Sequence, residues 1–317
     1  MGNVNSILFR PPEVTPLHPN NRFFLTNSYG NRIPACFFRR IGASVTLLYS
    51  HANAEDLGLM FGWIKCLSRR LNVNVLAFDY TGYGESDGEP CEEACYADID
   101  VAYEYLINVR KIDPSKIVLY GRSVGSGPAT YLAAKLSDEG VEIGGLVLEA
   151  SFKSVYRVVA DFGCTVLGDK FPNIDRISSV RYVEYVAIFF NFSFLLHSDQ
   201  SISSYFPISS RCPTMIIHGA DDKTIPIEHG LALHNAIHES YKAEPYWVLG
   251  KGHNDLDYNF EPLVNKLNDF LDIYLDDEES GEKRFQAGLA GVSRTSKAAK
   301  GMGIEPLRLR TTLSYDN

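Results

Sequence analysis

Beyond about Asn21 the chain alternates short continuous apolar runs with longer segments whose apolar positions recur at i, i+3 and i+4. The runs are Val45 to Tyr49, Val73 to Phe78, Ile117 to Tyr120, Gly145 to Leu148 and Thr214 to Ile217. They have the length and composition of strands buried on both faces. Leu57 to Leu71, Glu92 to Arg110, Gly125 to Leu136 and Ile227 to Ile237 carry the helical spacing between them. Strand and helix in strict alternation predict an α/β fold, a mostly parallel central sheet with helices on both faces. Ahead of it, Phe23 to Thr26 and Arg32 to Phe38 flank Asn27-Ser28-Tyr29-Gly30, a turn-rich spacer that predicts a leading hairpin.

Three segments fall outside this rhythm. Residues 1–19 hold Pro11, Pro12, Pro16 and Pro19 and read as an extended arm. Residues 182–211 are aromatic- and Ser-rich and sit where a short connection to the next strand is expected; they read as a lid or a retained intron. Residues 276–317 open on Asp276-Asp277-Glu278-Glu279 and keep no period, which predicts a disordered tail. The main domain then covers 20–275, with 182–211 as an insert.

Composition narrows the function classes. The chain of 317 residues is 45% hydrophobic and 22% charged, enough to bury a core, and its net charge of −9 argues against a nucleic-acid partner. Six scattered cysteines without a secretory signal read as reduced thiols, and no zinc-ligand spacing or cofactor fingerprint is present, so no metal and no cofactor is expected. The longest apolar stretch, Val183 to Leu196, is interrupted and too short for a transmembrane helix.

The densest chemistry lies in Gly121-Arg122-Ser123-Val124-Gly125, which follows one predicted strand and opens a helix. That is the context of a nucleophile elbow, a turn tight enough to lift a serine hydroxyl clear of the sheet. A serine needs a base, and the base an orienting acid, in the chain order Ser, acid, His. Two neighbouring acids, Asp221 and Asp222, follow the strand ending near His218; the position of Pro226 favours Asp222 and leaves Asp221 as the alternative. His253, in a Gly-rich loop after Tyr246 to Leu249, is the expected base. His229, His234 and His238 fall on a helix and read as solvated or half-buried. For an oxyanion hole, the backbone N–H of Val124 would be joined by that of Asn53, with Ala54 the alternative.

Several of these motifs together resemble the α/β-hydrolase domain-containing protein 17 family: Gly121 to Gly127, the loop His51-Ala52-Asn53-Ala54-Glu55, the run Asp79 to Ser86, Phe171 to Ile174, and His218 to Asp222. The resemblance implies a membrane-associated serine hydrolase of the α/β-hydrolase fold that removes palmitate from S-acylated proteins, with Ser123, Asp222 and His253 as its triad. It leaves open a lipid or small-ester hydrolase or a peptidase on the same triad, or an impaired enzyme acting as a membrane scaffold.

Three departures stand out. Ala52 occupies a position that is Gly in the family, where a methyl would crowd the backbone if φ were positive. The family's N-terminal cysteine cluster is missing; instead Met1-Gly2-Asn3-Val4-Asn5-Ser6 fits the N-myristoylation pattern with Gly2 as acceptor. The third is the insert, 182–211. The expected location is therefore the cytoplasmic face of plasma or endosomal membranes, peripheral through an N-terminal lipid that needs a second attachment signal.

Overall fold

The computed structural model describes residues 8–159, 164, 167–180, 212–256 and 261–275. Gly2, the insert at 182–211 and the tail from 276 lie outside the described residues. Eight strands form one sheet in the order β1-β2-β4-β3-β5-β6-β7-β8. They are β1 Phe23–Thr26, β2 Arg32–Phe38, β3 Thr46–Ser50, β4 Asn74–Phe78, β5 Ile117–Arg122, β6 Gly145–Glu149, β7 Thr214–Gly219 and β8 Tyr246–Val248. The leading hairpin pairs β1 with β2, and β2 joins β4, antiparallel in both cases. From β4 through β3, β5, β6 and β7 to β8 every pairing is parallel. The sequence alternation therefore gives the architecture it predicts, a mostly parallel sheet with one antiparallel flank.

Both faces of the central parallel strands β3, β5, β6 and β7 are buried, which explains why those segments read as unbroken apolar runs rather than as alternating ones. Alternate residues serve opposite cores. Leu48, Leu119, Leu148 and Ile216 meet the helices α2 (Glu92–Glu104), α3 (Ser126–Asp138) and α6 (Ile227–Ala236). Leu47, Tyr49, Val118, Val147 and Ile217 meet α1 (Leu57–Leu71) and α7 (Glu261–Leu275). Two short helices, α4 (Val155–Val159) and α5 (Asn173–Ile177), lie between β6 and β7.

Local chemistry sets the element ends. Asp56 caps α1 by accepting the Leu59 N–H at 2.8 Å, and Asn72 ends it in the left-handed region at φ 51°. The helix expected over Glu92 to Arg110 is shorter. It gives way after Glu104 to a wider turn, Tyr105–Val109, in which the Arg110 N–H reaches the Tyr105 carbonyl. Helical apolar spacing cannot register that one-residue insertion into the hydrogen-bond ladder.

The helix α6 histidines also differ from expectation. His229 and His234 are buried rather than solvated or half-buried, and the His234 ring stands edge-on to Trp247 with centroids 5.9 Å apart. Burial, with a smaller push from Lys242, lowers the His234 pKa from 6.5 to about 4. Burial lowers His51 and His218 as well. A base depressed in the folded state contributes stability that is present above its unfolded pKa and is lost as pH falls toward the folded one. Stability should therefore decline between about pH 6.5 and 4. Urea unfolding at pH 7 and pH 5 should show a smaller acid loss in His234→Phe than in wild type; an unchanged difference would refute a buried neutral imidazole here.

Candidate active site

The carboxyl ends of β3, β5, β7 and β8 open onto one edge of the sheet, and the loops leaving them supply every candidate residue. Ser123 follows β5 at φ 51°, a left-handed conformation that a non-glycine residue rarely takes. The chain then turns through Ser123–Gly125 directly into α3. The glycines are required by backbone proximity. A Cβ at position 121 would lie 2.4 Å from the Gly125 carbonyl oxygen, and one at position 125 would lie 2.2 Å from that of Ser50. The Ser126 hydroxyl donates to the Ser123 carbonyl at 2.7 Å and closes the turn.

Asp222 stands on the loop after β7. One of its oxygens, Oδ1, accepts the N–H groups of Thr224 and Ile225, each at 2.8 Å, which fixes the carboxylate from behind. The other, Oδ2, lies 2.7 Å from Nδ1 of His253. Burial works to raise the Asp222 pKa, but hydrogen bonds from His253, Ile225 and Thr224 outweigh it and hold the carboxyl below its usual value. Asp221, the alternative acid, is exposed, and its backbone N–H binds the Lys251 carbonyl at 3.0 Å.

His253 sits between acid and serine. Its Nε2 is 3.0 Å from the Ser123 Oγ. With Nδ1–H donated to the carboxylate, Nε2 is left unprotonated to accept the hydroxyl proton. The loop is seated by Gly219, where a Cβ would lie 2.3 Å from the Lys251 carbonyl oxygen. Behind the acid, His218 donates from Nε2 to the Ile225 carbonyl at 2.8 Å. It packs against Gly230, where a Cβ would come within 2.8 Å of its Nδ1. Its role is to support the Asp222 loop.

On the β3 side, the buried His51 lies against the rings of Tyr80 and Tyr83, and the Tyr80 hydroxyl donates to the His51 carbonyl at 2.7 Å. The run Asp79 to Ser86 thus buttresses this loop. Ala52 is not among the residues with positive φ, so its methyl introduces no backbone strain. Its N–H is donated to Glu55 Oε2 at 2.8 Å and is spoken for.

Asn53 has a use that spacing does not reveal. Its side chain holds the N-terminal arm: Nδ2 donates to the Leu8 carbonyl at 2.6 Å, and Oδ1 accepts the Arg10 N–H at 2.9 Å. The Tyr83 hydroxyl donates to the same oxygen at 2.6 Å. The arm continues along the rim, with the Thr15 N–H on Asp56 at 2.7 Å and Phe9 buried edge-on to Phe171. Among the described residues nothing accepts the Asn53 backbone N–H.

Sequence reasoning also passed over Arg122, Glu55 and Glu149, which form an ionic cluster beside His253 in which Arg122 and Glu149 are buried and Glu55 is half-buried. The available signal was register: Arg122 and Glu149 end adjacent parallel strands directly opposite one another. Among the described residues no group of His, Cys, Asp and Glu is arranged to hold a metal ion.

Known proteins share this arrangement of elements. Residues 45–159 match the model of the alpha/beta hydrolase fold. An esterase from Pyrococcus furiosus superposes with a TM-score of 0.61 at 14% identity, covering 84% of this chain and all of that one (100%). An alpha-beta hydrolase from Vibrio vulnificus does so at 0.58 and 18%, covering 79% of this chain and 81% of that one. Human alpha/beta hydrolase domain-containing protein 17B is 37% identical over 252 residues, 78% of this chain and 74% of that protein. The mouse 17C protein is 34% identical over 251 residues, 78% of this chain and 67% of its own length. At that identity over most of its length, the chain belongs to the α/β-hydrolase domain-containing protein 17 family of α/β-fold hydrolases.

Proposed function

We propose that this protein is a serine hydrolase that cleaves acyl thioesters and removes palmitate from S-acylated proteins at a membrane surface. The observation that carries the chemistry is the unbroken relay from the Ser123 Oγ through His253 to the buried Asp222, with contacts of 3.0 and 2.7 Å. Ser123 attacks the thioester carbonyl carbon as His253 Nε2 takes its proton. The tetrahedral oxyanion forms beside the Val124 N–H, in the first turn after the nucleophile, where backbone donors lack intrahelical partners. The second donor is the backbone N–H of Asn53, with that of Ala54 the alternative; that of Ala52 is held by Glu55. Collapse expels the substrate cysteine, which takes the proton from His253 and leaves an acyl-serine. Water, deprotonated by the same imidazole, then releases the fatty acid.

The acyl thioester as substrate rests on the resemblance to the family, and the geometry suits it. A thiol of ordinary pKa near 8.5 is a far better leaving group than an amine, so the single base His253 can serve its expulsion. Membrane attachment follows from Gly2 in the same reading. Gly2 precedes Leu8 by six residues, so a lipid there would lie within about 20 Å of chain reach of the Asn53 loop. A myristoyl group at that position would hold the mouth of the site near the cytoplasmic leaflet of the plasma or endosomal membrane. No described helix is long and apolar enough to cross a membrane.

A fluorophosphonate probe should label wild type and leave Ser123→Ala unlabelled; equal labelling of both would remove Ser123 from the mechanism. Asp222→Asn should lower kcat by on the order of 10⁴, as loss of the orienting carboxylate does in serine proteases. Asp221→Asn should retain wild-type turnover, and the reverse ranking would reassign the acid. Palmitoyl thioesters should be hydrolysed in preference to a glycerolipid panel; the opposite preference would replace the depalmitoylase reading with a lipase one.

In cells fed an alkyne myristate, the full chain should incorporate the label and Gly2→Ala should not. Label retained in the Gly2 variant would move the anchor elsewhere.

A further inference from the structure

The residue between Gly121 and Ser123 is an arginine whose side chain is buried, and each of its three guanidinium nitrogens meets a different part of the site. Nη1 pairs with Glu55 of the β3 loop, and Nε donates to Glu149 Oε1 at 3.2 Å. Nη2 donates to the Asn254 side-chain oxygen at 3.0 Å and approaches the His253 carbonyl oxygen at 3.5 Å. The far oxygen of Glu55 accepts the Ala52 N–H, and the far oxygen of Glu149 accepts the Tyr120 hydroxyl at 2.6 Å. Nothing in the cluster touches the Ser123 hydroxyl. It couples the parts that must be held around it.

We propose that Arg122 is a positioning residue that clamps the base loop at His253–Asn254 to the oxyanion loop at Ala52–Glu55, with the nucleophile covalently between them. The inference rests on Ser123 and His253 acting as proposed above. Its logic is geometric. A planar guanidinium offers donors in fixed directions, so one cation fixes the relative orientation of three chain segments. A lysine ammonium in its place could neutralise one carboxylate but could not fork to Glu55, Glu149 and Asn254 together. Burial tends to lower the Arg122 pKa, and the attraction of Glu149 and Glu55 more than offsets this, so the clamp stays charged. Removing the cation outright would strand the buried Glu149 carboxylate and leave the half-buried Glu55 unpaired, a cost to folding that would obscure any effect on positioning.

The test is a double-mutant cycle on Arg122→Lys and Asn254→Ala in the full-length protein. It reads steady-state hydrolysis of p-nitrophenyl butyrate alongside thermal unfolding. Misplacement of the base should lower kcat in Arg122→Lys by on the order of tenfold to a hundredfold, with KM within about twofold. Asn254→Ala, which leaves the ion pairs of Arg122 with Glu55 and Glu149 intact, should lower kcat severalfold without lowering Tm. Because both changes cut the same link, the double variant should lose less than the product of the single losses. Wild-type kcat in Arg122→Lys, an unchanged kcat in Asn254→Ala, a loss confined to KM, or strict additivity would each overturn the clamp. If Arg122→Lys fails to fold, Asn254→Ala decides alone. Wild type that fluorophosphonate fails to label would instead sink the serine-hydrolase reading beneath it, so the two failures are distinguishable.

Discussion

The carbonyl oxygen of Ser50 occupies the place where any side chain at position 125 would have to go. At that approach the ends of β3 and β5, paired at Ser50 and Gly121, set the Ala52–Glu55 loop and Ser123 on one edge. The same approach forces the abrupt turn that leaves Ser123 at positive φ. The strain is tolerable because the turn is bounded by two glycines and closed by the Ser126 hydroxyl, itself held by Asn173 at 3.1 Å. The apolar packing on both faces of the sheet keeps the strand ends level, and the site is the edge where that packing stops.

Proton direction follows from the same framework. Oδ1 of Asp222 is saturated by two backbone donors, so Oδ2 alone faces His253, and the imidazole is held in one tautomer. A carboxylate kept below its usual pKa would not compete for the proton that His253 takes from Ser123 in the proposed mechanism. Lateral placement of the imidazole is a separate matter and falls to the loop carrying it. That loop is seated on Gly219 from one side and tied to Arg122 through Asn254 from the other.

The strands and the faces of the helices were legible because a fully buried parallel sheet writes itself as continuous apolar runs. The serine was legible because Gly121 and Gly125 encode backbone contacts that no other residue permits, and the histidine because it follows the last strand in a Gly-rich loop whose Gly250 takes a positive φ of 70°. The ion cluster was hidden for the opposite reason. Arg122 occupies a variable position of its motif, and Glu149 looks like an ordinary strand end until β5 and β6 are aligned. The arm was legible from its prolines, but its anchoring to Asn53 was not, because the ties are the Leu8 carbonyl and the Arg10 N–H, and main-chain groups carry no sequence signal. The buried histidines of α6 misread for a related cause: a polar residue on an otherwise inward face looks solvated in a helical projection.

The central claim is that Ser123 carries the acyl group. Intact-protein and peptide mass spectrometry after rapid quench, with a palmitoyl thioester as substrate and Asp222→Asn included to slow turnover, tests it directly. The account predicts a transient adduct of one palmitoyl group on the peptide holding Ser123. Acylation of a cysteine instead, or turnover with no acyl-serine at any time point, would contradict it.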